Sequence, residues 1–158
     1  MKHMKAQFRT FSVAIFVAVV LIALPARAQS VPETQGCQNS TVDQLGSEDF
    51  ARKSRAFLAE VQSAVAKGDK AKVATMISYP LLVNGSTSKT RIKTGAQFLS
   101  HYDRIFDEHV RQAIARQSAE CLFGNYQGAM IGDGEVWFNE QANGTMKIIT
   151  VNTGAGKQ

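Results

Sequence analysis

The stretch Gly128–Phe138, which reads GAMIGDGEVWF, decides the fold. Its centre, Asp133-Gly134, lies between two apolar segments, and this arrangement is a strong signal for a β-hairpin. A second turn signal, Asn143-Gly144, leads into the apolar segment Met146–Asn152. Since Cys121–Asn125 also has strand-like composition, the last part of the chain is predicted to be a run of antiparallel strands.

Upstream of these strands, apolar residues recur at helical spacing. Ser47 is predicted to cap a first helix, whose apolar stripe extends over Phe50–Val65. Asp69 is predicted to cap a shorter helix that Pro80 ends, because the residue before a proline is pushed towards extended geometry. The chain therefore begins its folded part with two helices.

A short strand pair and a long helix are predicted to connect the two regions. Leu81–Val83 and Lys89–Lys93 form the strand pair around an Asn-Gly-Ser turn. Thr94 then caps a third helix that continues to about Arg116. Helices followed by strands in this order indicate an α+β fold, with the helices packed on a strongly curved antiparallel sheet.

The last strands are apolar on both faces. Val136 and Phe138 point one way and Trp137 the other. On the final strand, Ile148 is expected on one face and Ile149 and Val151 on the other. A sheet that is apolar on both faces needs a cover on each. Helices cover one face, and we expect a second subunit to cover the other in a homodimer; the N-terminal segment is the alternative cover.

In its order of elements the chain resembles the nuclear transport factor 2-like superfamily, and it is most similar to small secreted bacterial members. The local sequences that carry the resemblance are ISYPL at residues 77–81, FLSHYDRIF at 98–106 and the segment Leu122–Phe138. The resemblance covers Ser47–Asn152 and implies the cone-shaped fold of ketosteroid isomerases and polyketide cyclases. Members of the superfamily include isomerases, cyclases, dehydratases and dimerisation modules, so the resemblance implies a fold and no single activity.

Residues 1–28 have the composition of a secretory signal peptide. A basic start precedes the apolar segment Phe11–Leu24, and Ala26-Arg27-Ala28 is a cleavage signature before Gln29. The apolar segment is 14 residues long, shorter than the roughly 20 of a membrane span, so no span is expected after cleavage. An uncleaved anchor is the alternative. The short signal indicates a bacterial protein that is periplasmic or secreted.

Export changes the charge and divides the chain. The signal contains four of the 18 basic residues and none of the 13 acidic ones, which leaves 14 against 13 and a net charge of +1. This balance gives no reason to expect nucleic-acid binding. The predicted organisation is a signal peptide over 1–28, an extended N-terminal segment over 29–46, the nuclear transport factor 2-like domain over 47–152 and a frayed tail over 153–158.

The two cysteines, Cys37 and Cys121, are predicted to form a disulfide. An oxidising compartment favours the bond, and buried free thiols are the alternative. A catalytic thiol is not indicated, since the chain has no Cys-x-x-Cys motif. No metal or cofactor is expected either, because His101 and His109 lie about two helical turns apart and no phosphate-binding glycine loop is present.

Two carboxylates are weak catalytic candidates, Asp103 and Glu135. A better candidate for function is an apolar pocket with a polar anchor at the mouth of the cone, which is the usual composition of small-ligand sites. Core packing is the alternative for each of its residues. The expected pocket residues are Tyr79, Tyr102, Phe106, Phe123, Asn125, Met130 and Trp137.

These observations favour a secreted, non-catalytic domain that binds a small apolar ligand or a cell-envelope protein. One alternative is an isomerase- or cyclase-type enzyme that uses Asp103 or Glu135 as its base. Another is an inhibitor or immunity-type protein for a secreted hydrolase, with Gln127–Asp133 as its contact loop. An acid inside the pocket would favour the enzyme, and acids confined to the surface would favour binding.

Overall fold

The computed structural model describes residues 41–45 and 47–154, and the elements below refer to this part of the chain. The helices are α1 (Val42–Leu45), α2 (Glu48–Ala66), α3 (Lys70–Thr75), α4 (Gly95–Ile105) and α5 (Glu108–Arg116), with a 3₁₀ turn at Ala119–Cys121. The strands are β1 (Ile77–Asn84), β2 (Lys89–Ile92), β3 (Phe123–Asn125), β4 (Gly128–Ile131), β5 (Val136–Glu140) and β6 (Met146–Asn152). The predicted α+β class is confirmed.

The predicted helix starts are confirmed by their capping bonds. The side chain of Ser47 accepts a hydrogen bond from the backbone N–H of Phe50, at 3.2 Å. Asp69 accepts one from Lys72 at 2.9 Å, and Thr94 accepts one from Gln97 at 3.2 Å. Each cap satisfies a backbone donor that the first turn of a helix leaves without a partner.

The prediction of a single long third helix is wrong. The helix ends at Ile105, and Asp107 caps a new one by accepting a hydrogen bond from the Val110 N–H at 2.9 Å. Apolar periodicity continues across the break, with Phe106 fully buried, so the stripe alone gives no sign of it. The informative signal is Asp107 itself, a good N-cap residue followed by an acidic first turn.

Three other boundaries also differ from expectation. The helix that Asp69 caps, α3, ends at Thr75 and not at Pro80. The reason is that β1 already begins at Ile77 and contains Pro80, which is preceded by a cis peptide bond. Part of the expected extended segment 29–46 is helical at Val42–Leu45, and residues 29–40 and 46 lie outside the described residues. The strand expected from Cys121 begins at Phe123, after the 3₁₀ turn.

The six strands form one sheet in the order β2-β1-β6-β5-β4-β3. Neighbours pair antiparallel except β1 and β6, which run parallel, so the sheet is mixed and the prediction of an antiparallel sheet is wrong. The reason is topological. The segment between β1 and β6 returns the chain to the same end of the sheet, and the parallel pairing joins the strand pair to the C-terminal hairpins.

One face of this sheet packs against the helices and forms the core. Val136 and Phe138 are fully buried there, and the ring centroid of Phe138 lies 5.2 Å from that of Phe57 on α2. No helix among the described residues is long and apolar enough to cross a membrane.

A bulge in β6 changes which side chains reach the core. Trp137 pairs with Thr150 but Phe138 pairs with Ile148, so Ile149 is an extra residue without a partner on β5. Ile148 and Val151 are therefore both fully buried on the core face. Strict alternation predicts them on opposite faces, and that prediction is wrong because it assumes an unbroken period of two.

Candidate functional site

The seven residues expected to form one pocket lie in different parts of the structure. Tyr102 and Phe106 are 3% and 0% exposed, and their rings stack with centroids 5.2 Å apart. Phe98 packs edge-on against both. All three residues belong to the buried hydrophobic core.

Tyr79 and Asn125 have local structural bonds. The half-buried Tyr79 donates its phenolic hydrogen to the carbonyl of Ala74 at 3.1 Å, and burial raises the pKa of this phenol. The Asn125 side chain accepts a hydrogen bond from the Gln127 N–H at 2.8 Å within the β3–β4 turn. Tyr79 packs against the hydrophobic core that contains the stacked pair, whereas Asn125 lies at the end of β3.

The remaining three residues, Phe123, Met130 and Trp137, lie side by side on the open face of the sheet, which is the face opposite the core. Phe123 pairs with Met130, and Met130 pairs with Trp137. The rings of Phe123 and Trp137 meet edge to face at 6.5 Å, which confirms that they share this face. All three are half-buried.

The same row continues across the rest of the sheet. Trp137 pairs with Thr150, Thr150 with Leu82, and Leu82 with Arg91. One cross-strand row therefore spans all six strands, with large side chains at its centre and a cation at the β2 edge. We call it the open-face row; its members are Phe123, Met130, Trp137, Thr150, Leu82 and Arg91.

A groove of about 570 Å³ lies on the open face beside Trp137. The bulged Ile149 lines it, and so does Tyr126, whose side chain in the β3–β4 turn is 93% exposed. Nine residues line the groove, and none carries a charge. They are Leu82, Asn84, Tyr126, Gln127, Trp137, Asn139, Ile149, Thr150 and Asn152.

Hydrogen bonds hold the amides of this groove in fixed orientations. Asn84 donates to the side-chain oxygen of Asn152 at 2.7 Å, and Asn152 donates to the carbonyl of Gly134 at 2.5 Å. Asn139 donates to the carbonyl of Gln127 at 3.1 Å. The side-chain oxygen of Asn84 is buried and has no partner among the described residues.

A second polar centre joins α5 to the β4–β5 hairpin. Glu135 is 4% exposed, and its carboxylate lies 2.8 Å from the Nε2 of His109. Its other oxygen accepts the N–H of Asp133 at 2.6 Å. Gly132 adopts a positive φ of 68°, and a Cβ there would collide with this carboxylate. The hairpin is thereby held against the helix.

This centre borders a cleft of about 340 Å³ that also contains Arg116, Ser118 and Cys121. The His109 side chain is 34% exposed, and its Nδ1 has no partner among the described residues. The sequence singles out Glu135 and His109 separately but does not predict their pairing, because the two lie 26 residues apart and no local pattern links them. A carboxylate–histidine pair of this kind can hold the imidazole in one tautomer.

The other catalytic candidate, Asp103, lies on the surface. Its side chain is 73% exposed, and both of its oxygens accept hydrogen bonds from Lys70, at 2.7 and 2.9 Å. An exposed carboxylate in a surface ion pair has no water-excluded site in which to act as a base.

The predicted disulfide has one partner outside the described residues, Cys37. Cys121 is half-buried at the end of the 3₁₀ turn, and the bond stays a prediction. Within the described part of the chain, no group of three or more His, Cys, Asp or Glu side chains is arranged to hold a metal ion.

Searches with the whole chain match no protein-family profile, no curated protein and no solved structure. The resemblance to the nuclear transport factor 2-like superfamily therefore stays a prediction. Function is inferred below from the geometry of the sites.

Proposed function

We propose that this protein is an exported, non-catalytic binding protein that recognises its partner with the open face of its sheet. The observation that carries the proposal is the open-face row, which runs uninterrupted across six strands. Large side chains such as Trp137 and Leu82 remain half-exposed along it. Aromatic and aliphatic groups arranged in this way are typical of interaction surfaces.

The two sides of the sheet differ in how much room they offer a ligand. A small apolar ligand inside the cone would have to share space with Tyr102 and Phe106, which are almost completely buried and stacked on each other. The groove beside Trp137 already has a volume of about 570 Å³. The proposal therefore assigns binding to the open face. It also includes the strong curvature of the sheet that the family resemblance implies.

A homodimer is compatible with this proposal. A second copy of the chain would bury the open-face row against the same row of its partner, as symmetric dimers do. The N-terminal segment is a less suitable cover, since residues 29–40 read QSVPETQGCQNS and contain few apolar side chains.

Native mass spectrometry of the mature chain from Gln29, purified from the periplasm without reducing agent, tests the proposal. We expect a retained mass, from a bound ligand, an envelope component or a second copy, that is lost in Trp137→Ala. The matched control is Leu99→Ala, which removes another exposed large apolar side chain, 43% exposed, from α4 on the helix side. An adduct that survives Trp137→Ala, or a clean monomer that also binds no added ligand, would refute the proposal.

An acid–base enzyme is the second candidate function, and one specific observation favours it. Glu135 is a buried carboxylate that orients His109 beside a cleft, so the Nδ1 of this histidine is available as a proton acceptor. His109→Gln and Glu135→Gln should both abolish turnover of any substrate found for the protein. A turnover that survives both substitutions would exclude this pair as the catalytic centre.

The inhibitor or immunity alternative depended on Gln127–Asp133 as an exposed loop. Most of this segment is β4, which pairs with β3 on one side and β5 on the other. Only its ends lie in turns, and no observation favours this function.

A further inference from the structure

We propose that the groove beside Trp137 binds a neutral saccharide chain. The inference rests on the proposed function, because it names the chemical class of the ligand that the open face recognises. Three properties of the groove carry it: the absence of charge, an aromatic platform and a set of oriented amides.

The groove is uncharged in a chain that has 18 basic and 13 acidic residues. None of its nine lining residues is Asp, Glu, Lys, Arg or His. An anionic or cationic ligand would lose hydration there without gaining a counter-charge. A ligand that is polar but neutral avoids this cost, and it can still form hydrogen bonds with the lining amides.

The aromatic side chains provide flat surfaces of the right kind. Tyr126 is 93% exposed and Trp137 is half-exposed, and they lie on the same groove. The hydrophobic faces of pyranose rings pack well on such side chains, since each ring presents several C–H groups on one side. Tyr and Trp also supply a polar edge next to an apolar surface, which matches a ligand whose rim consists of hydroxyl groups.

The polar groups of the groove are oriented but not fully used. Asn84 and Asn152 each donate one hydrogen bond within the protein, and the buried oxygen of Asn84 has no partner among the described residues. Thr150 adds a hydroxyl and Trp137 an indole N–H, both on half-buried side chains that line the groove. A ligand rich in hydroxyl groups donates and accepts at the same position, so it satisfies such a mixed set.

The groove is also extended in the direction that a chain-like ligand needs. It reaches from Tyr126 in the β3–β4 turn to Leu82 on β1, with Trp137 between them. Neighbouring strands lie roughly 4.8 Å apart, so this distance accommodates several linked sugar rings.

Intrinsic fluorescence gives a direct test, because Trp137 is the single tryptophan of the chain. The mature chain is titrated with the β-1,4-linked tetramer of N-acetylglucosamine and, separately, with cellotetraose. We expect a saturable change in emission with at least one of them. Tyr126→Ala should weaken the affinity about tenfold through loss of one stacking surface, and Leu99→Ala should leave it unchanged.

Calorimetry with Trp137→Ala completes the test without the fluorophore, and we expect no measurable binding. A tetragalacturonate titration probes the role of charge, and we expect it to bind more weakly than both neutral tetramers. Equal or tighter binding of the anionic tetramer would overturn the assignment of a neutral ligand.

Failure of this inference can be distinguished from failure of the proposed function. If neither neutral tetramer binds while native mass spectrometry finds a Trp137-dependent dimer or protein complex, the saccharide inference is wrong and the binding face stands. If neither tetramer binds and the chain is a clean monomer, both are wrong.

Discussion

The two faces of the sheet carry apolar side chains in nearly the same pattern, yet they have different surroundings. Phe138 and Trp137 are neighbours on β5, but Phe138 is fully buried against Phe57 while Trp137 remains half-exposed beside amides. The core face is covered by helices of the same chain. An apolar side chain on a strand is therefore a poor predictor of burial by itself. Polar neighbours on the same face, such as the amides beside Trp137, indicate that the face is exposed.

The largest expected effect compares these two aromatic residues directly. Phe138→Ala should lower the free energy of unfolding by about 3–5 kcal/mol, because it opens a cavity in the packed core. Trp137→Ala should cost about 1–2 kcal/mol, since its ring is half-exposed and loses mainly its contact with Phe123. Urea denaturation of both variants gives the two values.

In binding, the order of the two effects should be reversed, so that Trp137→Ala has the larger effect. Trp137→Ala is expected to abolish the retained mass in native spectra. Equal losses of stability at the two positions would mean that the open face is covered by the protein itself, and the comparison between the faces would fail.

The next largest loss of stability is expected at Glu135, which directly precedes β5. Alternation places Glu135 on the same face as Trp137, but the hairpin directs its carboxylate to His109 on α5. Glu135→Ala should lower the free energy of unfolding by about 2 kcal/mol, since it leaves the partly buried N–H of Asp133 and the imidazole without their acceptor. Thermal unfolding at neutral pH measures the loss.

The conservative variant provides the control for this site. Glu135→Gln keeps one acceptor oxygen and should recover about half of the lost stability. If Glu135→Gln is as unstable as Glu135→Ala, the negative charge and not the hydrogen bonds ties the hairpin to the helix.

The smallest expected changes in the free energy of unfolding are at two tyrosines, Tyr102 and Tyr79, whose hydroxyl groups differ in their hydrogen bonding. The buried hydroxyl of Tyr102 has no partner among the described residues, so Tyr102→Phe should raise the free energy of unfolding by about 1 kcal/mol. Tyr79→Phe should lower it by about 1 kcal/mol, because it loses the bond to the Ala74 carbonyl. A loss in both variants would show that the Tyr102 hydroxyl is satisfied.

The pH dependence of the same variants follows from burial. Burial raises the pKa of the Tyr102 phenol above its usual value of 10.0; Arg111 opposes this effect and Asp103 adds to it. The unfolded chain therefore releases the proton first, and stability falls as the pH rises above 10. Denaturation curves at pH 9 to 11 should show a shallower decline for Tyr102→Phe than for the wild type.

Local signals in the sequence predicted the elements that depend on nearby residues. The caps at Ser47, Asp69 and Thr94 form the expected hydrogen bonds, and the Asp133-Gly134 and Asn143-Gly144 turns connect antiparallel strands as predicted. These features involve groups within about four residues of each other, so the sequence contains all the partners.

The misplaced helix boundaries arose where two local signals competed. Apolar spacing continued through Phe106, while Asp107 marked a new helix start. Pro80 predicts the end of a helix, whereas the segment Ile77–Asn84 is long enough to form a strand. At both boundaries the cap residue and the strand length are better guides than the apolar stripe.

The sequence by itself determined the α+β class, most helix starts and both C-terminal hairpins, because short-range hydrogen bonds and side-chain periodicity decide them. Only the tertiary structure decided the parallel pairing of β1 with β6, the bulge at Ile149 and the meeting of His109 with Glu135. Each of these joins residues far apart in the chain, and their contact depends on how the whole sheet packs against the helices. The same packing buried Tyr102 and left Trp137 half-exposed.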